Sequence, residues 1–318
     1  MKKIKNICIL GGCGYIGTVL TKFLLDKKKY KIKVIDTQFF GNYIRPFKNI
    51  KIYKKDIRKL NFNDFKNIDV IIHLANIAND PSVEIDKNLS WEVNVLASRS
   101  ICELAIKSNV KKIIYASSGS VYGIKKEKNV TEDLDLVPLS TYNKTKMIAE
   151  NIFKSYQDKI NICCIRPATV CGLSPRLRLD VSVNMLVYQA FKYGKINVLG
   201  GKQIRPNVHI NDLVRIFYFF LNKKFSKFII VNAGFENLSI INLAKKISKL
   251  IPAKILIQKS NDPRSYRLDS SKLNRLGFKE KFSVDNAILE LYKFFKENKF
   301  KKNLRNYNIK TMKKFLIQ

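Results

Sequence analysis

Apolar and polar positions along the chain alternate between two textures. Short, almost wholly apolar runs are each followed by a longer stretch in which apolar residues recur every three or four positions. The short runs are IKNICIL, KIKVID, NIKIY, DVIIHLA, KKIIYASS and KINICCIRPA, and they predict strands. Residues 15–28, 88–108 and 140–156 carry the helical period. Runs such as VIIHL and ICCI have no polar face, as a strand covered on both sides of a parallel sheet requires. The alternation predicts an α/β fold with a doubly wound parallel sheet. After Pro167 the texture changes. CGLSPRLRLD reads as a basic loop, a helix is expected near 181–193, and short strands and helices come after it. This predicts a smaller C-terminal α/β lobe and a cleft between the two. We divide the chain into 1–167, which recruits segments from about 200–235, then 168–300, then a loosely attached basic tail at 301–318.

Composition narrows the class. Hydrophobic residues make up 46% of the 318 residues, which fits a globular chain. No apolar run approaches the roughly 20 residues that cross a bilayer. The basic start MKKIKNICIL imitates a signal peptide, but its apolar run is short and leads directly into glycines, so it reads as a buried strand. We expect a cytoplasmic protein without a membrane partner. The six cysteines form no C-x-x-C pair and there are two histidines, so free buried thiols are expected and no metal. The net charge is +35, with 60 basic and 25 acidic residues. Only 12 of the basic residues are arginine, and the lysines are scattered without interleaved aromatics. That pattern argues against a nucleic-acid partner and leaves attraction of small anions as the consequence of the charge.

Candidate chemistry starts at LGGCGYIG. Gly11, Gly14 and Gly17 lie between the first strand and first helix, with Tyr15 and Ile16 on the opening turn. Such a turn lets a pyrophosphate approach the backbone, where the helix N-terminus favours an anion. Asp36 ends the second strand 19 residues after Gly17. A carboxylate there takes ribose hydroxyls and repels a 2′-phosphate, which favours NAD over NADP. Asp56, followed by Ile57 after the third strand, can face the adenine edge.

A second constellation carries reactivity. Tyr142 and Lys146 are four apart on an expected helix and share a face. Ser118 ends the preceding strand. A tyrosine near a lysine and an oxidised nicotinamide should have a lowered pKa, and can take a hydroxyl proton as hydride leaves the same carbon. Ser118 can hold that oxygen, and Lys146 the nicotinamide ribose.

GGCGYIG, VID, DIR, HLAN, WEVNV, SSGSVYG, YNKTK and IRPATVCG stand in this order along the chain. With them the chain resembles the extended short-chain dehydrogenase/reductases, in particular the NAD-dependent epimerase/dehydratase group that acts on nucleotide sugars. IRPNVHINDL and NDPRSYRLDSSKLNRLGF resemble that group's second-lobe segments. The resemblance implies a Rossmann-type lobe binding NAD, with Leu74, Ala75, Asn94 and Pro167 at the cofactor. It implies a nucleotide-diphosphate sugar in the second lobe, near Thr169, Asn184, Arg205 and Arg264, with Arg176 and Arg178 at the cleft mouth. It also implies a homodimer through the helices at 88–108 and 140–156. Three positions depart from the pattern. Leu10 replaces a usual hydroxyl residue. Gly119 and Ser120 stand where dehydratases carry an Asp-Glu pair, which disfavours a 4,6-dehydratase. Thr169 stands where 4-epimerases often carry asparagine. The expected activity is epimerisation at C4 through a 4-keto sugar, in the synthesis of surface-polysaccharide sugars. The alternatives are a one-way 4-dehydrogenase or 4-keto reductase, towards which SPRLRLD leans, and a non-catalytic NAD-binding protein, against which the Ser-Tyr-Lys set argues.

Overall fold

The computed structural model describes residues 4–225, 227–260, 265–298 and 300–316. Six strands lie in the first half, with a helix between each consecutive pair except β2 and β3: β1 (Asn6–Leu10), β2 (Lys31–Asp36), β3 (Ile50–Lys54), β4 (Val70–His73), β5 (Lys112–Ala116) and β6 (Asn161–Pro167). The second half adds six: β7 (Thr169–Cys171), β8 (Lys195–Leu199), β9 (Ile204–His209), β10 (Phe228–Ala233), β11 (Glu236–Ser239) and β12 (Lys254–Gln258). The main sheet has seven strands in the order β10-β6-β5-β4-β1-β2-β3, and every pairing in it is parallel. Its order reverses between β1 and β4. Ligands of such sheets bind in the crevice at that point, beyond the carboxyl ends of the strands.

The apolar runs form central strands because both of their faces meet core. In β1, Ile7 and Ile9 enter one apolar cluster, while Cys8 and Leu10 enter the cluster on the opposite face. Leu10 is thus a core residue. Its carbonyl accepts the Leu74 N–H at 2.8 Å, which ties β1 to the turn after β4. All six cysteines are free and buried. A third cluster lies among the helices Ser182–Tyr193, Ile240–Leu250 and Val284–Glu297. Beside it stand the sheet β11-β9-β7 and the pair β12-β8.

Helix Thr141–Ser155 carries Tyr142 and Lys146. Glu150 pins it to β6 through Arg166 Nη2 at 2.7 Å, and both partners are buried. Arg166 Nη1 also donates to the Tyr122 hydroxyl at 2.7 Å. A buried pair with all its hydrogen bonds made fixes geometry more than it adds stability.

Two segments differ from expectation. The helix expected at 88–108 is interrupted by a π turn at Glu92–Leu96. Asn94 sits in that turn, accepting the Ile77 N–H at 2.8 Å and donating to the Ile77 carbonyl at 3.1 Å. Local widening of this kind often marks a site where a side chain has work outside its helix. The tail expected to hang loosely is docked. Asn306, Asn308, Thr311 and Met312 are all buried. The reason is polar: Asn306 Nδ2 donates to the Leu177 carbonyl at 3.0 Å, the Asn306 carbonyl accepts the Leu179 N–H at 2.9 Å, and Asp180 Oδ2 accepts the Asn308 N–H at 2.9 Å. Among the described residues no helix is long and apolar enough to cross a membrane.

Candidate active site

The glycine turn is shaped by what it must avoid. Gly11 has φ +82°, and a Cβ there would lie 2.5 Å from the Ala75 nitrogen. A Cβ on Gly17 would lie 2.3 Å from the Gly11 carbonyl oxygen. These two positions let strand, helix and the turn after β4 close on one another. Gly14 differs, since a Cβ there meets only the Gly11 carbonyl at 3.4 Å. It caps helix Tyr15–Asp26 with no side-chain hydrogen bond and no acid in the first turn, so the helix N-terminus is open to an anion.

Asp36 holds this turn from the side. Its Oδ2 accepts the Cys13 N–H at 2.9 Å and its Oδ1 accepts the Gln38 N–H at 2.6 Å. Burial raises its carboxyl above the usual range, against the pull of those two amides. Asp36 lines a cavity together with Gly11, Gly14, Asp56, Ile57, Leu74 and Ala75. Seven of the expected cofactor residues therefore meet at one place. Asp56 is braced by Arg58, whose Nη2 donates to its Oδ2 at 2.7 Å.

The cavity also has walls that were not among the expected cofactor residues: Phe40, Asn76 and Met312. Both amide atoms of Asn76 are buried without a protein partner. A buried amide in this state is rare unless a ligand or water completes it. Asn76 lies in HLAN, and a polar amide set directly after an apolar strand is the sequence signal that marks it. Phe40 and Met312 carry no such signal. The open helix end, the strand-end carboxylate and the orphaned amide fit an adenine dinucleotide.

The reactive set is assembled at the ends of β5 and helix Thr141–Ser155. Ser118 faces the Tyr142 phenol closely enough to draw its pKa down, and its Oγ lies 2.7 Å from that of Ser120. Lys146 is buried, and its Nζ donates to the Ala116 carbonyl at 2.7 Å and the Tyr115 hydroxyl at 3.3 Å. It stands 5.9 Å from the Tyr142 ring centroid. Burial pushes Tyr142 up to about 12, with Ser118 and the Arg178 charge working the other way and Asp80 and Tyr266 adding to the rise. Burial pushes Lys146 down to about 7, against the charge of Glu150. The lowering expected for Tyr142 belongs to a site that also holds an oxidised nicotinamide; without that charge, desolvation exceeds the local positive charge.

Other expected residues are placed differently. Tyr15 turns its ring away from the cavity, and its hydroxyl donates to the Gly172 carbonyl at 2.7 Å. Asn184 is fully buried, and its amide accepts the Gly172 N–H and donates to Tyr15 and Arg178 oxygens. Asn94 likewise has its amide engaged inside, with Ile77 and Thr145. Arg178 pairs with Asp180 at 2.8 Å on the Tyr142 side. Thr169 and Arg205 are half-buried on β7 and β9, and Pro167 ends β6. Ile16 and Gly17 lie in the first turn of helix Tyr15–Asp26. Arg264 lies outside the described residues. His209 caps helix Ile210–Asn222, its Nδ1 accepting the Asn211 N–H at 3.1 Å.

A parallel doubly wound sheet with an anion-ready turn, an acidic strand end and an orphaned amide at its switch point defines a dinucleotide-binding protein of the Rossmann class. Comparison with known proteins narrows this. The chain belongs to the NAD dependent epimerase/dehydratase family, whose model matches residues 7–234. The UDP-glucose 4-epimerase of Lactobacillus helveticus is 28% identical over 327 residues, covering 92% of this chain and 98% of its own. The UDP-glucuronic acid 4-epimerase from Bacillus cereus, solved with UDP-glucuronic acid and NAD, is 25% identical with a TM-score of 0.82 over 92% of this chain and 99% of that one. The UDP-N-acetylglucosamine 4-epimerase from Methanobrevibacter ruminantium M1 shares the fold, with a TM-score of 0.84 at 23% identity over 93% and 99% of the two chains. The chain is an NAD-dependent enzyme of the extended short-chain dehydrogenase/reductase kind.

Proposed function

We propose that this enzyme is a nucleotide-sugar 4-epimerase that inverts C4 through a 4-keto sugar and serves the synthesis of surface-polysaccharide sugars. The observation that carries the reading is Ser118 beside the Tyr142 phenol, with Lys146 one helical turn on, next to a cavity that fits NAD. The names of the full-length relatives support it.

NAD, when bound, supplies the hydride acceptor and a positive charge that favours the Tyr142 phenolate. Ser118 holds the C4 oxygen of the sugar. Tyr142 Oη takes the hydroxyl proton as hydride leaves C4, and the C–O bond becomes a carbonyl. Return of hydride to the opposite face, with the proton given back by Tyr142, inverts the centre. Lys146 is anchored on the Ala116 carbonyl and positions the tyrosine's helix face. Arg178, Thr169 and Arg205 form the substrate side, and we assign Arg264 to the same role from its motif. Water loss would need a second acid and base. Positions 119 and 120 hold Gly and Ser, and a side chain at Gly119 would meet Leu268 at 2.6 Å. This disfavours a dehydratase. We further read the enzyme as a cytoplasmic homodimer. Its six free thiols suit a reducing compartment, and Leu96 is 62% exposed on the helix expected to pair.

The test is incubation of the purified protein with a panel of nucleoside-diphosphate sugars and NAD, with products separated by mass spectrometry and NMR. The reading expects a C4 epimer without net NADH. Stoichiometric NADH would support the one-way dehydrogenase instead. Finding no product from any sugar, with NAD bound, would support a non-catalytic protein.

A further inference from the structure

Arg176 is a buried cation with no carboxylate in contact; Asp180 and Asp36 act on it only from a distance. Its residue is 2% exposed, and among the described residues no carboxylate stands within ion-pair distance of it. Nη2 donates to Asn308 Oδ1 at 2.6 Å, the guanidinium lies 4.1 Å from the Phe40 ring centroid, and Nε is buried with no partner. Burying a guanidinium without a close carboxylate is costly, Asp180 offsets part of that cost, and an anion bound beside it would offset more. Burial and the neighbouring Arg178 hold it down to about 9, far below the usual arginine range.

The surroundings say which anion. Two residues earlier, Ser174 Oγ donates to the Tyr15 carbonyl at 2.7 Å and lies 2.9 Å from Thr18 Oγ1. The loop carrying Arg176 is therefore packed on the first turn of the glycine helix. Phe40, on which the guanidinium stacks, lines the same cavity as Gly14 and Asp36. Phe40 thus links the buried arginine to the cavity that the open helix end lines. A guanidinium fork suits two phosphate oxygens.

What holds Arg176 there is the C-terminal segment. Asn306 and Asn308 bind the backbone and side chains of the 177–180 loop, and Asn308 Nδ2 reaches the Ala78 carbonyl at 3.4 Å. Helix Asn308–Leu316 then lays Met312 into an apolar cluster with Ile77 and Val83, against Phe40, Leu89 and Tyr142. Met312 is at once a wall of the cofactor cavity and a neighbour of Tyr142.

We propose that Arg176 is the counter-charge of the dinucleotide pyrophosphate, and that residues 303–316 form a clasp that holds this arginine in place and covers the bound cofactor. This moves Arg176 from the nucleotide sugar to the cofactor. It rests on the NAD of the family and stands whether or not the epimerase reading does. The clasp must lift for NAD to leave, so the cofactor is retained between turnovers.

Calorimetry on the full-length protein with NAD, ADP-ribose and adenosine tests the arginine. Arg176→Gln should weaken NAD and ADP-ribose about 10- to 100-fold, the range of a charge-assisted hydrogen bond, and leave adenosine unchanged. Arg176→Lys should fall between the variant and the wild type. A loss shared equally by adenosine would mean that Arg176 only supports the fold, and unchanged NAD affinity in both variants would return it to the substrate side; either overturns the assignment. Stopped-flow release of NADH tests the clasp. Asn308→Ala and Met312→Ala should each release NADH at least about fivefold faster, as the loss of one hydrogen bond or one apolar contact allows. Release at the wild-type rate in both would overturn it.

Discussion

The cofactor cavity has two walls built on opposite principles. The floor is made of backbone and of side chains that cap it: Gly11 against Ala75, and Asp36 holding the amides of Cys13 and Gln38. It has no slack, since even a methyl group at Gly11 would lie 2.5 Å from a backbone nitrogen. The roof is Phe40 and Met312, backed by Arg176, which stacks on Phe40 and is held by Asn308. Its joints are single amide bonds and one flexible thioether. The floor is a template, and the roof is a part that can lift. Substitutions in the floor should therefore act on whether NAD binds, and those in the roof on how long it stays.

The largest effect lies outside both walls. Tyr142→Phe should lower turnover by about a hundred- to ten-thousand-fold, the scale of one proton-transfer group, and leave the NAD dissociation constant near wild type. Steady-state rates beside calorimetry check this. Retained turnover would remove Tyr142 from its role.

In the floor, Gly11→Ala should cost about 1–3 kcal/mol in urea-unfolding stability, from the strained φ and the overlap with Ala75. It should also abolish measurable NAD binding, whereas the roof variants still bind. Equal NAD affinity in Gly11→Ala and wild type would erase the contrast between the walls. A smaller effect is expected at Asp36. Asp36→Asn keeps the shape but loses the charge, so NAD should weaken by about tenfold and the preference for NAD over NADP should narrow. Paired titrations with the two dinucleotides measure it.

The smallest effect is a slope. Lys146 titrates at about 7 in the fold against 10.5 ordinarily. Between those values the unfolded chain holds a proton that the buried amine has released, so stability rises with pH across the window. Lys112, pushed down to about 8 by burial, adds a rise of its own. Lys146→Met should flatten the curve in part, which urea midpoints across the window would read. A slope unchanged by the substitution would contradict the burial assigned to Lys146.

The contrast between the walls also explains what could be read from the chain. Gly11, Asp36, Ser118, Tyr142 and Lys146 sit at strand ends and helix starts, where spacing along the chain translates directly into position. The parallel sheet was legible for the same reason, because a run such as VIIHL has only one environment that suits it. Arg176 reads along the chain as a residue of the cleft mouth, and its burial was not legible. That depends on Phe40 and Asn308, 136 and 132 positions away. The tail reads as a lysine-rich appendage because its two docking asparagines, Asn306 and Asn308, follow no apolar periodicity. Tyr142 shows where energy is hard to read from a chain. Neighbouring charges can be counted along a chain, but the desolvation that outweighs them depends on the packing of the whole site.

The most direct measurement of the central claim is the epimerisation run in deuterium oxide, with the product read by proton NMR. If hydride leaves and returns at C4 while Tyr142 shuttles only the hydroxyl proton, the inverted sugar keeps its original C4 hydrogen and carries no solvent deuterium there. Deuterium at the inverted carbon would mean inversion by deprotonation next to a carbonyl, and would contradict the account.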